Sequence, residues 1–440
     1  MAFAPNGDYY VTGFFRGEFD ADPGQGVSNL VSASGAESAF LIKVAANGTF
    51  QWGRTITGKY IEYGTLVAAD GNRGVYLAGR FGGTIDVDPG PRTLARQSAG
   101  SRSGYLIRLD SNGGYVWDAI FGGSQGSMQA RAIGLAANGD VAIAGYLTGT
   151  VDVNPGTARN LVKAIGDPDA VVVKLDSRGV FKWSYSFGTA TTNSDGTWAR
   201  SIAVTPNGEV YVGGHSDGLV EFPHPDGETI SRGFGTQYDG FVVKLSASGD
   251  FEWVSHIASP RTVYLRAMTS DNSGNIYVTG RGIAQLSYID EFTRRVDASL
   301  SDTDHDAYVA SLDSTGKWRW STVISEADFD EGYAISYSPS AGLLVGANFV
   351  NGESGSLDMG LYQLDFGGQA IGRRVVSSVG PDLVRSIALL PNGRAIVGGV
   401  DGTNQEPATD AADEEGCVYE EIGGCQALIA RVDLVSLRDG

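Results

Sequence analysis

The sequence predicts an all-β chain, a seven-bladed β-propeller with four antiparallel strands per blade, and three observations predict it. First, an apolar strand returns about every 66 residues, a period typical of radial repeats. Its copies read Phe40-Leu-Ile-Lys-Val44, Tyr105-Leu-Ile-Arg-Leu109, Val171-Val-Val-Lys-Leu175, Phe241-Val-Val-Lys-Leu245 and Tyr308-Val-Ala-Ser-Leu312, with weaker ones at Leu361-Tyr-Gln-Leu364 and Leu428-Ile-Ala-Arg-Val432. Second, a tryptophan follows the first five copies, at Trp52, Trp117, Trp183, Trp253 and Trp320. Third, the chain holds 63 glycines against 14 prolines, which fits many tight turns between short strands.

Each repeat resolves into four strands. The first is small-sided, as in Arg131-Ala-Ile-Gly-Leu135, Arg200-Ser-Ile-Ala-Val204 and Arg385-Ser-Ile-Ala-Leu389. An Asn-Gly turn follows (Ala137-Asn-Gly-Asp140, Pro206-Asn-Gly-Glu209), supplying the positive φ angles of a two-residue hairpin. The second strand is Tyr10-Val-Thr-Gly13, Tyr76-Leu-Ala-Gly79, Tyr211-Val-Gly-Gly214 or Tyr277-Val-Thr-Gly280. A longer loop leads to the third strand, the apolar run above. A second turn (Asp110-Ser-Asn-Gly113, Asp176-Ser-Arg-Gly179) leads to the fourth, which carries the tryptophan.

The second and third strands are apolar at nearly every residue rather than alternating, as expected when neighbours cover both faces of a sheet. Blade boundaries fall near 1–57, 58–123, 124–190, 191–259, 260–326, 327–378 and 379–440, one domain with ring closure between the first and last. The recurring tryptophans read as packing residues wedged against the next blade. The sixth and seventh repeats lack one and should pack more loosely or by another residue.

A net charge of −19 disfavours nucleic acid and anionic bilayers, and no stretch approaches the roughly 18 apolar residues of a membrane span. The opening Met1-Ala-Phe-Ala-Pro falls inside a repeat and reads as a mature or truncated chain without its leader. Cys417 and Cys425, in the acidic loop from Asp401 to Gln426, read as a local disulfide of an exported protein, with two free thiols as the alternative. That loop is also a candidate surface for a basic partner.

The strings Tyr-Val-Thr-Gly, Asp-Val-Asp-Pro-Gly, Val-Val-Lys-Leu-Asp-Ser and Gly-x-Phe-x-Trp resemble those of the bacterial seven-bladed β-propeller repeat (SBBP-type) family. The resemblance covers essentially the whole chain and is strongest over the first five repeats. It implies the fold and export, and carries over no catalytic residues.

Among motifs outside the core, Asp20-Ala-Asp22-Pro-Gly24, Asp86-Val-Asp88-Pro-Gly90 and Asp152-Val-Asn154-Pro-Gly156 place two oxygen-bearing side chains on one face of an extended segment, which suits Ca2+. Two carboxylates are few for a calcium shell, so an Asx-Pro-Gly turn capping its own amides is the stronger reading. Asp302-Thr-Asp304-His-Asp306 reads as a polar approach to a strand. Arg131, Arg200, Arg266 and Arg385 recur in the first strand, while Asp169, Asp239, Asp306 and Asp358 precede the third. We expect structural arginine–carboxylate pairs that register the blades.

Trp198 and Tyr264 stand two residues before Arg200 and Arg266, and Trp318 alternates with Trp320. These three are candidates for a rim that stacks sugar rings or a partner's side chains, against capping of the core as the bland reading. No nucleophile elbow, P-loop or zinc-protease helix is present. The expectation is therefore an extracellular, cell-surface or periplasmic binding scaffold for a protein or glycan, with Ca2+ as its possible cofactor. A glycosidase or polysaccharide lyase on the same frame, or a structural subunit of a surface assembly, are the alternatives.

Overall fold

The computed structural model describes residues 1–33, 35–71, 73–166, 168–189, 196–235, 237–289, 294–300, 304–326, 329–350, 357–376, 382–389, 394–402 and 425–433. All regular elements among them are strands. The chain forms two compact units: Met1–Tyr211, Ser216–Gly233 and Leu245–Phe251; and Val212–His215, Phe234–Lys244 and Glu252–Gly440.

In the first unit, Ala2–Phe3, Tyr9–Phe15, Ser38–Val44 and Phe50–Ile56 pair in that order as an antiparallel sheet. The second repeat pairs Gly58–Ala69, Gly74–Asp86, Ser103–Asp110 and the start of Tyr115–Leu135. That 21-residue strand runs on to open the third repeat, beside Val141–Asp152, Asp169–Leu175 and Phe181–Thr189. In the second unit, Val263–Ser270, Ile276–Gly282, Asp306–Leu312 and Trp318–Ile324 form one sheet. Asp330–Ser338, Gly342–Val350, Leu357–Leu364 and Ala370–Val376 form another. Asp382–Leu389, Arg394–Gly402 and Cys425–Asp433 form the last, with residues 434–440 outside the described set. Strands of the fourth repeat are divided between the two units.

The near-continuous apolar runs have a direct cause: alternate residues of one strand enter different cores. Val75 and Leu77 pack with Leu41 and Ile56 of the first repeat, while Tyr76 and Ala78 pack with Val171 and Val173 of the third. In the second unit, Leu343 and Val345 join Val309 of the fifth repeat, and Leu344 joins Val384 and Val397 of the seventh. Both faces of a sheet are thus covered by its neighbours. Each such aliphatic side chain contributes roughly 1.5–3 kcal/mol.

The tryptophans join consecutive repeats through one recurring contact. Their indole N–H groups donate to a carbonyl in the turn of the following repeat: Trp52 to Ser111 (3.1 Å), Trp117 to Ser177 (3.1 Å), Trp183 to Ala247 (3.0 Å), Trp253 to Ser314 (3.4 Å) and Trp320 to Phe366 (2.9 Å). A cation on the third strand lies directly opposite the ring and reaches the same carbonyl in three repeats. Lys43 meets Ser111, Arg108 meets Ser177, and Lys174 meets Ala247. The turn's glycine lies against the indole. Gly179 has φ +84°, and a Cβ there would lie 2.9 Å from the Trp117 ring. In the sixth repeat Gly372 occupies the tryptophan position, opposite Gln363, which donates instead to Ala341 within its own sheet.

The loop between second and third strands carries a small hairpin that the sequence reading left unstructured. Asp20 pairs with Asn29, Asp86 with Ala95, and Asp152 with Leu161, so the Asp-x-Asx-Pro-Gly string is the hairpin's tip. In the fourth repeat the equivalent hairpin, Leu219–Pro223 with Thr229–Gly233, extends the sheet of the third through Gly188 opposite Glu221.

Candidate functional site

One level of the sheets breaks the apolar rule. On the first strand, a β-bulge inserts Arg131 between Ala130 and Ala132, Arg266 between Leu265 and Ala267, Tyr333 between Gly332 and Ala334, and Arg385 between Val384 and Ser386. A bulged residue leaves the ladder unpaired and re-aims its side chain. Two residues before Arg131, Arg200, Arg266 and Tyr333 stand Gln129, Trp198, Tyr264 and Glu331, and the residue after the second strand's glycine is Arg80, Tyr146, His215 or Arg281.

These positions meet from one repeat to the next. Arg80 donates to Gln129 Oε1 at 2.6 Å. Tyr146 packs edge-on against Trp198 at 4.4 Å, and His215 against Tyr264 at 4.8 Å. Arg281 lies 3.5 Å from the Glu331 carboxylate, and Asn348 accepts the Val384 amide proton at 2.7 Å.

Four first-strand arginines lie over an aromatic ring: Arg131 over Tyr146 (5.6 Å), Arg200 over Trp198 (5.2 Å), Arg266 over Tyr264 (5.3 Å) and Arg385 over Tyr333 (4.8 Å). Such contacts supply about 0.5–2 kcal/mol each, rising with desolvation. Arg266 also binds Glu331 at 2.5 Å, a carboxylate the sequence reading did not single out. Burial raises the Glu331 carboxyl, but Arg266 and Arg281 outweigh it and hold the group below its ordinary value. His305, desolvated and near Arg281, is lowered to about 4 and stays neutral at pH 7.

Two of the aspartates expected to face these arginines accept backbone amides. Asp169 accepts the amides of Ile165 (2.5 Å) and Gly166 (3.0 Å), and Asp239 those of Gly235 (2.9 Å) and Ser259 (3.2 Å). Burial, despite those two amides, lifts Asp239 to about 6. Asp306 and Asp358 are buried at or near the start of third strands.

Of the three candidate rim aromatics, Trp198 and Tyr264 belong to this level, one in each unit. Trp318 does not. It is 6% exposed, packs on Tyr288 at 4.9 Å and donates to the Ile289 carbonyl at 3.4 Å, which makes it a core residue. Tyr146, Gln129 and Arg281 were missed. The polar residue after each second-strand glycine was the signal that could have found them.

The Asp-x-Asx-Pro-Gly tips repeat one hydrogen-bond pattern. Asp20 Oδ1 accepts the amides of Asp22 (3.0 Å) and Ser28 (2.9 Å), and Asp22 Oδ1 that of Gly24 (2.8 Å). Asp86 and Asp88 do the same toward Leu94 and Gly90, and Asp152 and Asn154 toward Asn160 and Gly156. The two amides hold the exposed Asp20 below the usual aspartate value. Among the described residues no three His, Cys, Asp or Glu side chains converge as a metal cluster. Cys417 lies outside the described residues, as does the bulk of the acidic loop, so the disulfide does too.

The chain matches no protein-family model. Over 306 residues, 59% of its length, it is 21% identical to an uncharacterised WD repeat-containing protein of Acanthamoeba polyphaga mimivirus. It spans about a fifth of that curated relative, 22% of its length. Among solved structures, a protein of unknown function from Bacteroides caccae aligns at 12% identity over 68% of this chain and 81% of that one, TM-score 0.34. A polysaccharide lyase, an ulvan lyase, aligns at 12% identity over 88% and 91%, TM-score 0.41. The WD-repeat likeness and the stacked antiparallel sheets both suggest a propeller-like repeat fold.

Proposed function

We propose that the repeats close into a seven-bladed β-propeller that acts outside the cell or on its surface as a non-catalytic binding scaffold for a glycan or protein. The observation that supports this reading is the recurring arginine-on-aromatic pair at the bulge of the first strand. The pairs leave rings and guanidinium forks partly exposed at one level of each unit, in a chain whose net charge is −19. Flat rings bind the apolar face of a sugar or a partner's side chain, and guanidinium forks bind its oxygens. The SBBP-type resemblance supports the ring and the export. A glycan array probed with the full chain tests it: Tyr264→Ala should weaken the bound glycan by about tenfold. A chain that binds nothing on the array, and whose Tyr264→Ala form behaves identically, would end the glycan form of the proposal.

A carbohydrate-active enzyme is the second reading, favoured by His215 wedged between Tyr238 (4.9 Å) and Tyr264 (4.8 Å) as an acid–base set. Appearance of reducing ends or unsaturated sugars from a bound polysaccharide, abolished by His215→Ala, would replace the scaffold with an enzyme. Calcium stays a proposal for the outer carboxylate oxygens of Asp20, Asp22, Asp86, Asp88 and Asp152 and the Asn154 amide oxygen. Saturating Ca2+ against chelator should then raise the melting temperature, and coincident curves would remove the metal.

A further inference from the structure

In the first unit the bulge level contains donors with no acceptor. Gln129 is 3% exposed, and its side-chain carbonyl is fully engaged by Arg80 (2.6 Å) and the Tyr146 hydroxyl. Its Nε2 amide donor has no hydrogen-bond partner, and neither has the buried Nε of Arg131. A buried donor left unmade costs about 1–3 kcal/mol, so two on one strand, two residues apart, mark a place where an acceptor belongs. Arg131 has its guanidinium over Tyr146, Tyr146 abuts Trp198, and Arg200 covers the Trp198 ring. Arg80, Gln129, Tyr146, Arg131, Trp198 and Arg200 thus form one continuous run of contacts with an orphan amide at its centre. Gln129 and Arg131, two residues apart, share a strand face, and the bulge leaves Arg131 unpaired in the ladder.

Resting on the scaffold reading above, we infer that this spot is a subsite for an acidic sugar. The carboxylate of a uronic acid accepts from Gln129 Nε2 and Arg131, and its pyranose ring lies against Trp198. A guanidinium fork matches a planar carboxylate, and an amide N–H adds direction that a lone cation lacks. A neutral sugar would offer the unpartnered Arg131 Nε no charged acceptor.

The test is calorimetric titration of the full chain with tri-galacturonate, with maltotriose as the neutral control and inorganic sulfate as the bare anion. Gln129→Glu keeps the oxygens that Arg80 and Tyr146 use while replacing the orphan donor with a repelling acceptor. It should fold with an unchanged or higher melting temperature and bind tri-galacturonate at least about tenfold more weakly. Arg131→Met should lose at least as much, and Arg266→Met, in the other unit, nothing. Equal binding of tri-galacturonate to wild type and to Gln129→Glu would overturn the subsite and leave the scaffold reading standing on Tyr264. Maltotriose binding as tightly, or sulfate competing at equal concentration, would also overturn it. Failure of the chain to bind any glycan would overturn the subsite together with the glycan form of the scaffold reading.

Discussion

At the scale of single residues, the tryptophan contact is the most stringent requirement. Each indole N–H has one acceptor, and each acceptor sits on a turn whose glycine must both take a positive φ and clear the ring. Trp183→Phe removes the bond to Ala247 and should cost about 1–2 kcal/mol, read as a lower denaturation midpoint with unchanged slope. Gly179→Ala adds a strained backbone to a methyl group pressed into Trp117, and should cost more than about 1 kcal/mol. A Gly179→Ala protein that melts with wild type would show that the turn does not seat the ring. His305 gives a residue-scale pH signature. Its pKa is lowered from 6.5 to about 4, so its contribution is present above pH 6.5 and lost as pH falls toward 4. Wild type should therefore lose stability relative to His305→Gln across that window, measured as paired melting curves. Asp239, raised from 3.8 to about 6, has the opposite sign: its contribution is full below pH 3.8 and is lost as pH rises through 6.

At the scale of elements, the hairpin tips and the bulges divide the work. The tips are self-sufficient: one carboxylate oxygen closes two amides, two and eight residues further along the chain. Asp86→Asn retains an oxygen acceptor and should be nearly neutral, whereas Asp86→Ala strands both amides and should cost about 1–2 kcal/mol by chemical denaturation. Equal losses from both substitutions would point to a charge requirement, as a bound cation imposes. The bulges do the reverse. They leave a residue unpaired in its own sheet and make it depend on the neighbouring repeat, which is where recognition chemistry is placed on a rigid frame.

At the scale of the whole molecule, charge decides how an acidic ligand approaches. A chain of net charge −19 repels anions at a distance, while the arginine level attracts them at contact. Salt screens the long-range repulsion more than the partly buried contact, so affinity for an acidic sugar should hold or rise between about 0.02 and 0.15 M salt. A steep decline would place the binding on exposed lysines and arginines instead. In the second unit, Glu331 sits below its ordinary pKa because Arg266 and Arg281 outweigh its burial. That stabilisation is present above pH 4.5 and lost as pH falls below it.

The order of strands, the turn glycines, the Asx caps of Asp20, Asp86 and Asp152, though not the hairpins they sit on, and the recurrence of tryptophan were legible in the chain. Each is a local property: strand alternation, turn geometry and Asx capping act over a few residues and repeat with the sequence. Which carbonyl receives Trp117, why Trp318 is buried, and why Arg266 meets Glu331 rather than an aspartate were not legible. Those depend on how one sheet stacks upon the next and on a single inserted residue that reverses the alternation. Only the packed structure fixes both.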